Sequence, residues 1–589
     1  MKKTDWGILL LTIAFSFLFY KENAGINCLL FSLVAIGFFV WDDPTRTKNL
    51  NWLIVAAACL CSSFFIFLHS STLSVLAFYC SLLLLSAYSI NSKASVLTNL
   101  FYGYYSILSS FIFVAVNTYT SLIQKKEGDK KTKGMRTLTY LIPFVLALIF
   151  FFIYKNANPL FKEYTKWINL DFISIHWLIF TLWGFLVAYG LVRHQRIQGL
   201  DNWEKNLSID IDKNETQSSR WNEKKSVLIL FVLLNTMLLF INCLDINYLY
   251  LGAGLPKDLT HKQFVHDGVG MLICSIVLGI SIILFFLRGG LNFGKENKSV
   301  RVLIYIWLFQ NLMMVISTAI RNHIYIMDAL LTYKRIGVFY WLLMAAVGLT
   351  VTGYKLKKTK SSWFLIRSNA LFAFIVLVLS SSVDWDRLIG DFNIKRVPNI
   401  AGLDKRYLIS ISEANLAQLY RLKDDKDFNT DSSYHYAMYK RSKNSTALDR
   451  KLFYFMDELL NCSWKSFCVR KKRVLREIIA LNSAEKIQSL DLTSTYFSSF
   501  EPLFPLTNLR KIQLGASNNP TKKWLSELKQ FKKLDTLALT SLDASHIEYL
   551  SALKNLKCIS LTYTNKSVID SLKAKMYGVQ IIDKGNSSY

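Results

Sequence analysis

Apolar runs as long as a bilayer-crossing helix recur along the first two thirds of the chain, and a differently punctuated leucine pattern closes it. A spanning helix needs about 20 mostly apolar residues. By that ruler, segments near 5–20, 25–41, 51–68, 72–90, 99–122, 138–155, 172–192, 226–244, 267–287, 301–319, 336–354 and 362–381 predict about twelve transmembrane helices. The run 99–122 is rich in Tyr, Ser and Asn. After Ser382 the pattern turns polar, and Asp384, Trp385, Asp386 and Arg387 stand where a last helix meets the interface. From Ala401 to Leu481 apolar residues fall three and four apart, as in Leu408 to Leu422 and Leu452 to Leu460, which predicts amphipathic helices.

The closing pattern is a repeat. Phe500, Leu503, Leu506, Leu509, Ile512 and Leu514 share their offsets with Leu525, Leu528, Phe531, Leu534, Leu537 and Leu539, and again with Ile547, Leu550, Leu553, Leu556, Ile559 and Leu561. The period lies in the leucine-rich-repeat range of roughly 20 to 29 residues. Each Leu-x-x-Leu-x-Leu segment, such as Leu534 to Leu539, predicts a short strand. The position that commonly holds a turn-bonding Asn or Cys is here Thr495, Ser517, Leu542 and Thr564. A hydroxyl can replace some of those bonds and Leu542 cannot, so one turn must satisfy its backbone differently.

The predicted fold class is thus an all-α polytopic membrane domain over 1–385, a small helical linker or cap region over 386–482, and a C-terminal α/β leucine-rich-repeat solenoid over 483–589. The helical region suits the cap that a solenoid end requires.

Charge changes the picture by giving a direction. The net charge is +28 with 52% hydrophobic residues. The cations gather between the spans, so the basicity reads as membrane orientation and not as nucleic-acid binding. Lys125, Lys126, Lys130, Lys131, Lys133 and Arg136 crowd one loop; Arg193, Arg196, Arg220 and Lys224 a second; Arg288, Lys295, Lys298 and Arg301 a third; Lys355, Lys357, Lys358 and Lys360 a fourth. All four follow odd-numbered spans. Held in the cytoplasm, they place the C-terminal domain on the extracytoplasmic face, although Lys2 and Lys3 favour an N-terminus inside. The segment Trp6 to Tyr20 lacks a small-residue cleavage site and reads as a first span instead of a cleaved signal.

Cysteines and polar residues supply the candidate chemistry. Cys28, Cys59, Cys61, Cys80, Cys243 and Cys274 lie in apolar spans and read as small hydrophobes. Cys462 and Cys468 lie beyond the spans. In an oxidising compartment they would close a local disulfide; otherwise they are two thiols on different faces of a helix. Asn444-Ser445-Thr446 fits a glycosylation triplet, a pattern common by chance. On the predicted strands Gln513, Asp535, Thr536 and Ser560 are candidates for a protein-binding face. Near the later spans His266, Asp267, Arg321, His323, Lys334 and Arg335, with Gln310 and Asn311, are candidates for an anionic headgroup or carboxylate substrate. The plainer alternative is that the cations snorkel to the interface while His266 and Asp267 cap a helix. No nucleophile elbow, phosphate loop, His-Glu-x-x-His or paired-cysteine spacing is present, so no catalytic residue, metal ligand or cofactor is assigned, and an enzyme is the less favoured class.

A family resemblance enters through an ordered set of short motifs. These are Val265-His-Asp-Gly, Arg288-Gly-Gly-Leu-Asn-Phe, Tyr305-Ile-Trp-Leu-Phe-Gln-Asn, Ile320-Arg-Asn-His, Thr332-Tyr-Lys-Arg-Ile-Gly-Val and Asp384-Trp-Asp-Arg-Leu-Ile-Gly-Asp-Phe-Asn. In these the membrane half resembles a bacterial multi-span family known only as a domain of unknown function, of the 4173 or 4153-like type. The resemblance implies a bacterial cytoplasmic-membrane protein, from a Bacteroidota-like source, and brings no activity.

The functional expectation is a non-enzymatic membrane protein whose repeats bind another envelope protein for sensing, scaffolding or assembly. A transporter or lipid-handling protein built on the later-span cluster is the alternative. An enzyme acting on envelope lipid or glycan is the third.

Overall fold

The computed structural model describes residues 2–123, 157–165, 174–193, 221–250, 275–285, 298–429, 444–493, 495–515 and 521–584, with scattered single positions between 147 and 207. The chain forms two compact units, Met1–Val383 and Asp384–Tyr589.

The first unit is helical. Its described helices are α1 (Lys3–Phe19), α2 (Ile26–Asp42), α3 (Leu50–His69), α4 (Thr72–Tyr88), α5 (Val96–Ile123) and α6 (Ile175–Val192), then α7 (Trp221–Tyr250), α8 (Ser275–Phe285), α9 (Lys298–Ala329), α10 (Tyr333–Lys358) and α11 (Ser362–Ser380). Seven of these, α3, α5, α6, α7, α9, α10 and α11, are long and apolar enough to cross a membrane, while α2, α4 and α8 are shorter apolar helices. The expected span 138–155, the basic loop 125–136 and the connection 246–265 fall largely outside the described residues.

Two apolar cores hold this unit. Leu11, Ala35, Cys59, Ile66, Leu84 and Ala188 centre the first, built from α1 to α6. Val227, Phe231, Ile283, Ile304 and Leu349 centre the second, built from α7 to α10. Large apolar side chains also cover the outside, among them Phe111, Ile229, Phe240 and Phe309. Helices apolar all round suit a lipid solvent. Hydroxyls inside are satisfied within the helices: Ser32 Oγ donates to the Cys28 carbonyl at 2.9 Å and Ser81 Oγ to the Ala77 carbonyl at 2.7 Å. Gly190 permits α6 to meet α5 closely, since a Cβ there would stand 2.7 Å from the Ile107 Cα.

The second unit begins with helices α12 (Trp385–Arg396), α13 (Lys405–Ile411), α14 (Leu416–Leu422), α15 (Asn444–Asn461) and α16 (Val469–Ser483). Five short strands follow: β1 (Ser489–Leu492), β2 (Lys511–Leu514), β3 (Thr536–Leu539), β4 (Cys558–Leu561) and β5 (Gln580–Asp583). They form one parallel sheet in chain order. Register joins Leu490, Ile512, Leu537, Ile559 and Ile581, positions about 22 to 25 residues apart. The first four of these are buried, as are Leu492, Leu514, Leu539 and Leu561.

Every apolar position of the three matched sequence registers is buried. Between strands, short 3₁₀ and α-helical turns such as Lys522–Glu527 and Ile547–Ser551 deliver Leu525, Leu528, Ile547 and Leu550 to the side of the sheet opposite its polar face. Rings of Phe497, Phe500, Trp524 and Phe531 stack at 4.9 to 6.3 Å and fill the space behind the first strands. Leu542 is buried, so that turn is closed by packing and not by a side-chain bond. Thr495 and Thr564 keep hydroxyl-bearing side chains at the equivalent turns, and Ser517 lies outside the described residues. Gly515 ends β2 because a Cβ would stand 2.1 Å from the Thr493 carbonyl oxygen, an approach only glycine allows.

Candidate functional site

In the first unit the polar atoms converge between α7 and α9, which pack along one another. Asn235, Asn242 and Asp245 recur on one face of α7 at helical spacing, and Gln310, Thr318 and Arg321 do so on α9. Gln310 Nε2 donates to Asn235 Oδ1 at 2.8 Å, and Asn235 Nδ2 to the Leu303 carbonyl at 3.0 Å. Lower on the same seam, Asn242 Nδ2 donates to the Gln310 carbonyl at 3.2 Å. Arg321 Nη2 then meets Asp245 Oδ2 at 2.7 Å, with the two side chains only 13% and 7% exposed. Hydrocarbon offers these groups no water, so each bond ties the helices together and fixes their register.

The seam is not saturated. The side-chain oxygens of Asn242 and Gln310 are buried without a hydrogen-bond partner among the described residues, as is that of Asn322 where α9 faces the start of α10. Buried acceptors of this kind cost about 1–3 kcal/mol each, so they favour any donor that can enter. Chemically the seam offers amide oxygens and a carboxylate beside one guanidinium, a set suited to a small protonated or cationic group or to water.

Of the six candidates from the later spans, the four among the described residues, Arg321, His323, Lys334 and Arg335, do not share one set of contacts. Arg321 lies in the seam. Arg335 lies in the first turn of α10 and reaches back to the end of α9: its guanidinium donates to the Ala329 and Leu330 carbonyls and sits 4.3 Å from the Tyr325 ring centre, while Asn322 Nδ2 reaches its carbonyl at 3.0 Å. A cation on the last carbonyls of a helix is a capping arrangement. His323 and Lys334 are exposed, and His266 and Asp267 lie outside the described residues. Gln310 is in the seam, whereas Asn311 turns back on its own helix to the Trp307 carbonyl at 2.7 Å. Asp245, Asn235 and Asn242 escaped the sequence reading although their shared helical face was a usable signal.

In the second unit two buried ionic arrangements organise the site. Arg470, 4% exposed, bonds Asp384 and Asp386 with Nη1 and Glu413 with Nη2, each at 3.0 Å. Burial pushes the Glu413 carboxyl up, but the Arg470 guanidinium, a backbone hydrogen bond and the Lys471 ammonium together outweigh it and leave the group below the usual carboxylate range. The three carboxylates likewise outweigh burial at Arg470 and hold its guanidinium charged.

The other arrangement closes the free edge of the sheet. Asp449 Oδ2 accepts from the Asp491 backbone N–H at 2.7 Å, and Lys423 Nζ donates to the Ser489 carbonyl at 3.1 Å. Lys423 and Asp449 are themselves paired at 2.6 Å, with the Tyr420 hydroxyl donating to Asp449 at 2.6 Å. One ion pair thus imitates a neighbouring strand and satisfies both kinds of backbone group on β1. Burial raises the Asp449 carboxyl even against the Lys423 ammonium.

On the open face of the sheet, register sets Lys511, Thr536 and Cys558 in one row and Asp491, Gln513, Ala538 and Ser560 in the next. Gln513 and Thr536 are half-buried and Ser560 is buried. Asp535 precedes β3 and accepts the Thr536 hydroxyl at 2.7 Å. Cys462 ends the region of α15 half-buried, and Cys468 precedes α16 buried, so that its thiol is pushed up by burial. Among the described residues no group of His, Cys, Asp and Glu is arranged to hold a metal.

No curated protein and no solved structure matches the chain significantly. The family described as domain of unknown function (DUF4153) matches residues 28–422, from α2 through the Asp384-Trp385-Asp386 motif to the end of α14. Of the two types the motifs resemble, the 4153 type is therefore the one matched, and its match continues past the membrane half. Arg470, Asp449 and the whole sheet lie beyond the matched residues. With its helical unit and the first helices of the second unit inside that match, the chain belongs to the DUF4153 family.

Proposed function

We propose that this is a non-enzymatic protein of a bacterial cytoplasmic membrane whose extracytoplasmic leucine-rich repeats bind a protein partner of the envelope. The observation that carries the reading is the sheet: parallel strands in chain order, repeated about every 22 to 25 residues over a leucine core. Stacked repeats present an extended face that fits a protein surface better than a small molecule. Gln513 and Thr536, with Lys511 beside them, give that face mixed polar chemistry, and the helical region 386–482 acts as the cap through Lys423 and Asp449. About twelve spans are supported by apolar helices near ten of the twelve segments, counting the short ones. The basic loops support the outward placement of the repeats.

Introducing Gln513→Arg with Thr536→Arg should remove partners that the unaltered chain retains when captured from native membranes. Lys529→Ala, on the turn side of the repeats, should keep them. An unchanged partner set for the double variant, or for a chain lacking 485–589, would count against recognition through the repeats.

A second reading, transport or lipid handling, is favoured by one specific observation, the unpartnered seam oxygens of Asn242 and Gln310. It requires the seam to open into a polar path, whereas an anchor needs it only as a seal between α7 and α9.

A further inference from the structure

The loop between α15 and α16 carries a surface that neither the core of the second unit nor its sheet uses. Trp464 is 59% exposed, Leu460 49% and Val469 38%, three large apolar groups within one short stretch of chain. Cations stand beside them on α16: Lys472 and Arg476 are exposed, and Arg473 is 51% exposed at its side chain. Lys472 Nζ lies 5.4 Å from the Phe467 ring centre, which ties the basic helix to the loop. Of the acidic groups on the flanking helices, Glu458 is engaged by Lys471 at 2.6 Å and Glu477 by Arg387 at 3.3 Å, which leaves Asp457, bonded by Asn461, against Lys465, Lys472 and Arg476. The patch therefore presents tryptophan and aliphatic surface with an excess of positive charge.

We infer that the Leu460–Val469 loop, with Trp464 at its tip and Lys472 and Arg476 behind it, docks on the anionic surface of the bilayer. Tryptophan is the residue most at home at the headgroup level, because its ring is apolar and its N–H is not. Lysine and arginine beside it are drawn by anionic lipid within a Debye length of the surface. The occupant follows from the chain itself: α11 is a candidate span ending at Ser380, and α12 of the second unit starts at Trp385, so this unit is tethered to a lipid surface by a few residues. A tether of that length keeps the bilayer at high effective concentration, and even a weak contact is then occupied. The inference goes beyond partner binding by the repeats and holds for either face of the membrane.

The test places a photo-crosslinking phenylalanine analogue at position 464 of the full chain in vesicles of phosphatidylglycerol and phosphatidylcholine. The same analogue at Tyr577, which is 91% exposed, serves as the reference. Lipid adducts should form several-fold more at 464 than at 577. They should fall to the reference level in Lys472→Gln/Arg476→Gln, or when phosphatidylglycerol is omitted. Equal adduct yields at the two positions, or adducts at 464 to protein and not lipid in native membranes, would overturn the inference. Because position 464 is exposed, the substitution leaves the packed core intact, and hydrogen-exchange protection of α15 and α16 in the same sample separates a docking failure from a folding failure.

Discussion

Arg470→Met should destabilise the helical part of the second unit by about 3–5 kcal/mol at pH 7, the effect of leaving buried charge uncompensated. The magnitude follows from the surroundings. Asp384, Asp386 and Glu413 all turn to one guanidinium, and Arg470 itself is only 4% exposed. Methionine fills the volume and supplies none of the four charge-assisted bonds.

The pH dependence has a definite sign. Glu413 is held below its ordinary value of 4.5, so in the unaltered protein it contributes stability that is present above that value and lost as pH falls through the lowered one. Without Arg470, burial, the largest influence on Glu413, is opposed only by a backbone hydrogen bond and Lys471, and the protonated form gains. The gap between the two proteins should therefore narrow as pH falls below about 5. Hydrogen exchange on peptides from α12 and α16 in the full chain would measure both quantities. Unchanged protection in Arg470→Met at pH 7 would show that the network does not hold these helices.

Arg321→Leu is the second large effect, and its meaning comes from a double variant. Removing one partner leaves Asp245 charged against α9 in a membrane interior, and about 3–5 kcal/mol of stability should be lost. Asp245→Leu/Arg321→Leu should regain most of it, because an ion pair replaced by apolar groups of similar size is often neutral. Thermal unfolding in detergent, followed by the fraction that remains monodisperse, gives the comparison. If the double variant is no more stable than the single one, the pair is not the contact that joins α7 and α9. Should the double variant be stable while a cellular phenotype of the unaltered chain disappears, the seam is more than a seal, and the transport reading gains.

Legibility in the sequence tracked how local the cause was. The leucine offsets required only periodicity, and Leu503, Leu525 and Ile547 are buried where that periodicity places them. Membrane-length apolarity was equally readable at α3, α6 or α11. The segments 25–41 and 72–90 likewise stand as α2 and α4, each 17 residues long.

The polar sites were the least legible. Asp245 sits one residue past the apolar run that defines its span and falls in neither the span nor the connection, and its partner Arg321 is grouped with neighbours that face elsewhere. Helix phase separates them: Arg321 and Asn322 point inward while His323 does not. Arg470 and Asp449 were invisible for another reason. Their partners stand 57 to 86 and 26 to 42 residues away, and no spacing rule links such positions. The Lys423–Asp449 clasp on β1 appears only once the sheet has an edge to close.

A recognition surface on the outer side of the cytoplasmic membrane is the claim most open to direct measurement. Tyr577→Cys, in a chain whose native cysteines are replaced by serine, puts one reactive thiol at a position of the repeat region that is 91% exposed. Intact spheroplasts would be treated with a membrane-impermeant maleimide, with and without permeabilisation. The expected result is full labelling before permeabilisation; labelling that begins only after the membrane is opened would contradict the outward placement and every envelope partner that depends on it.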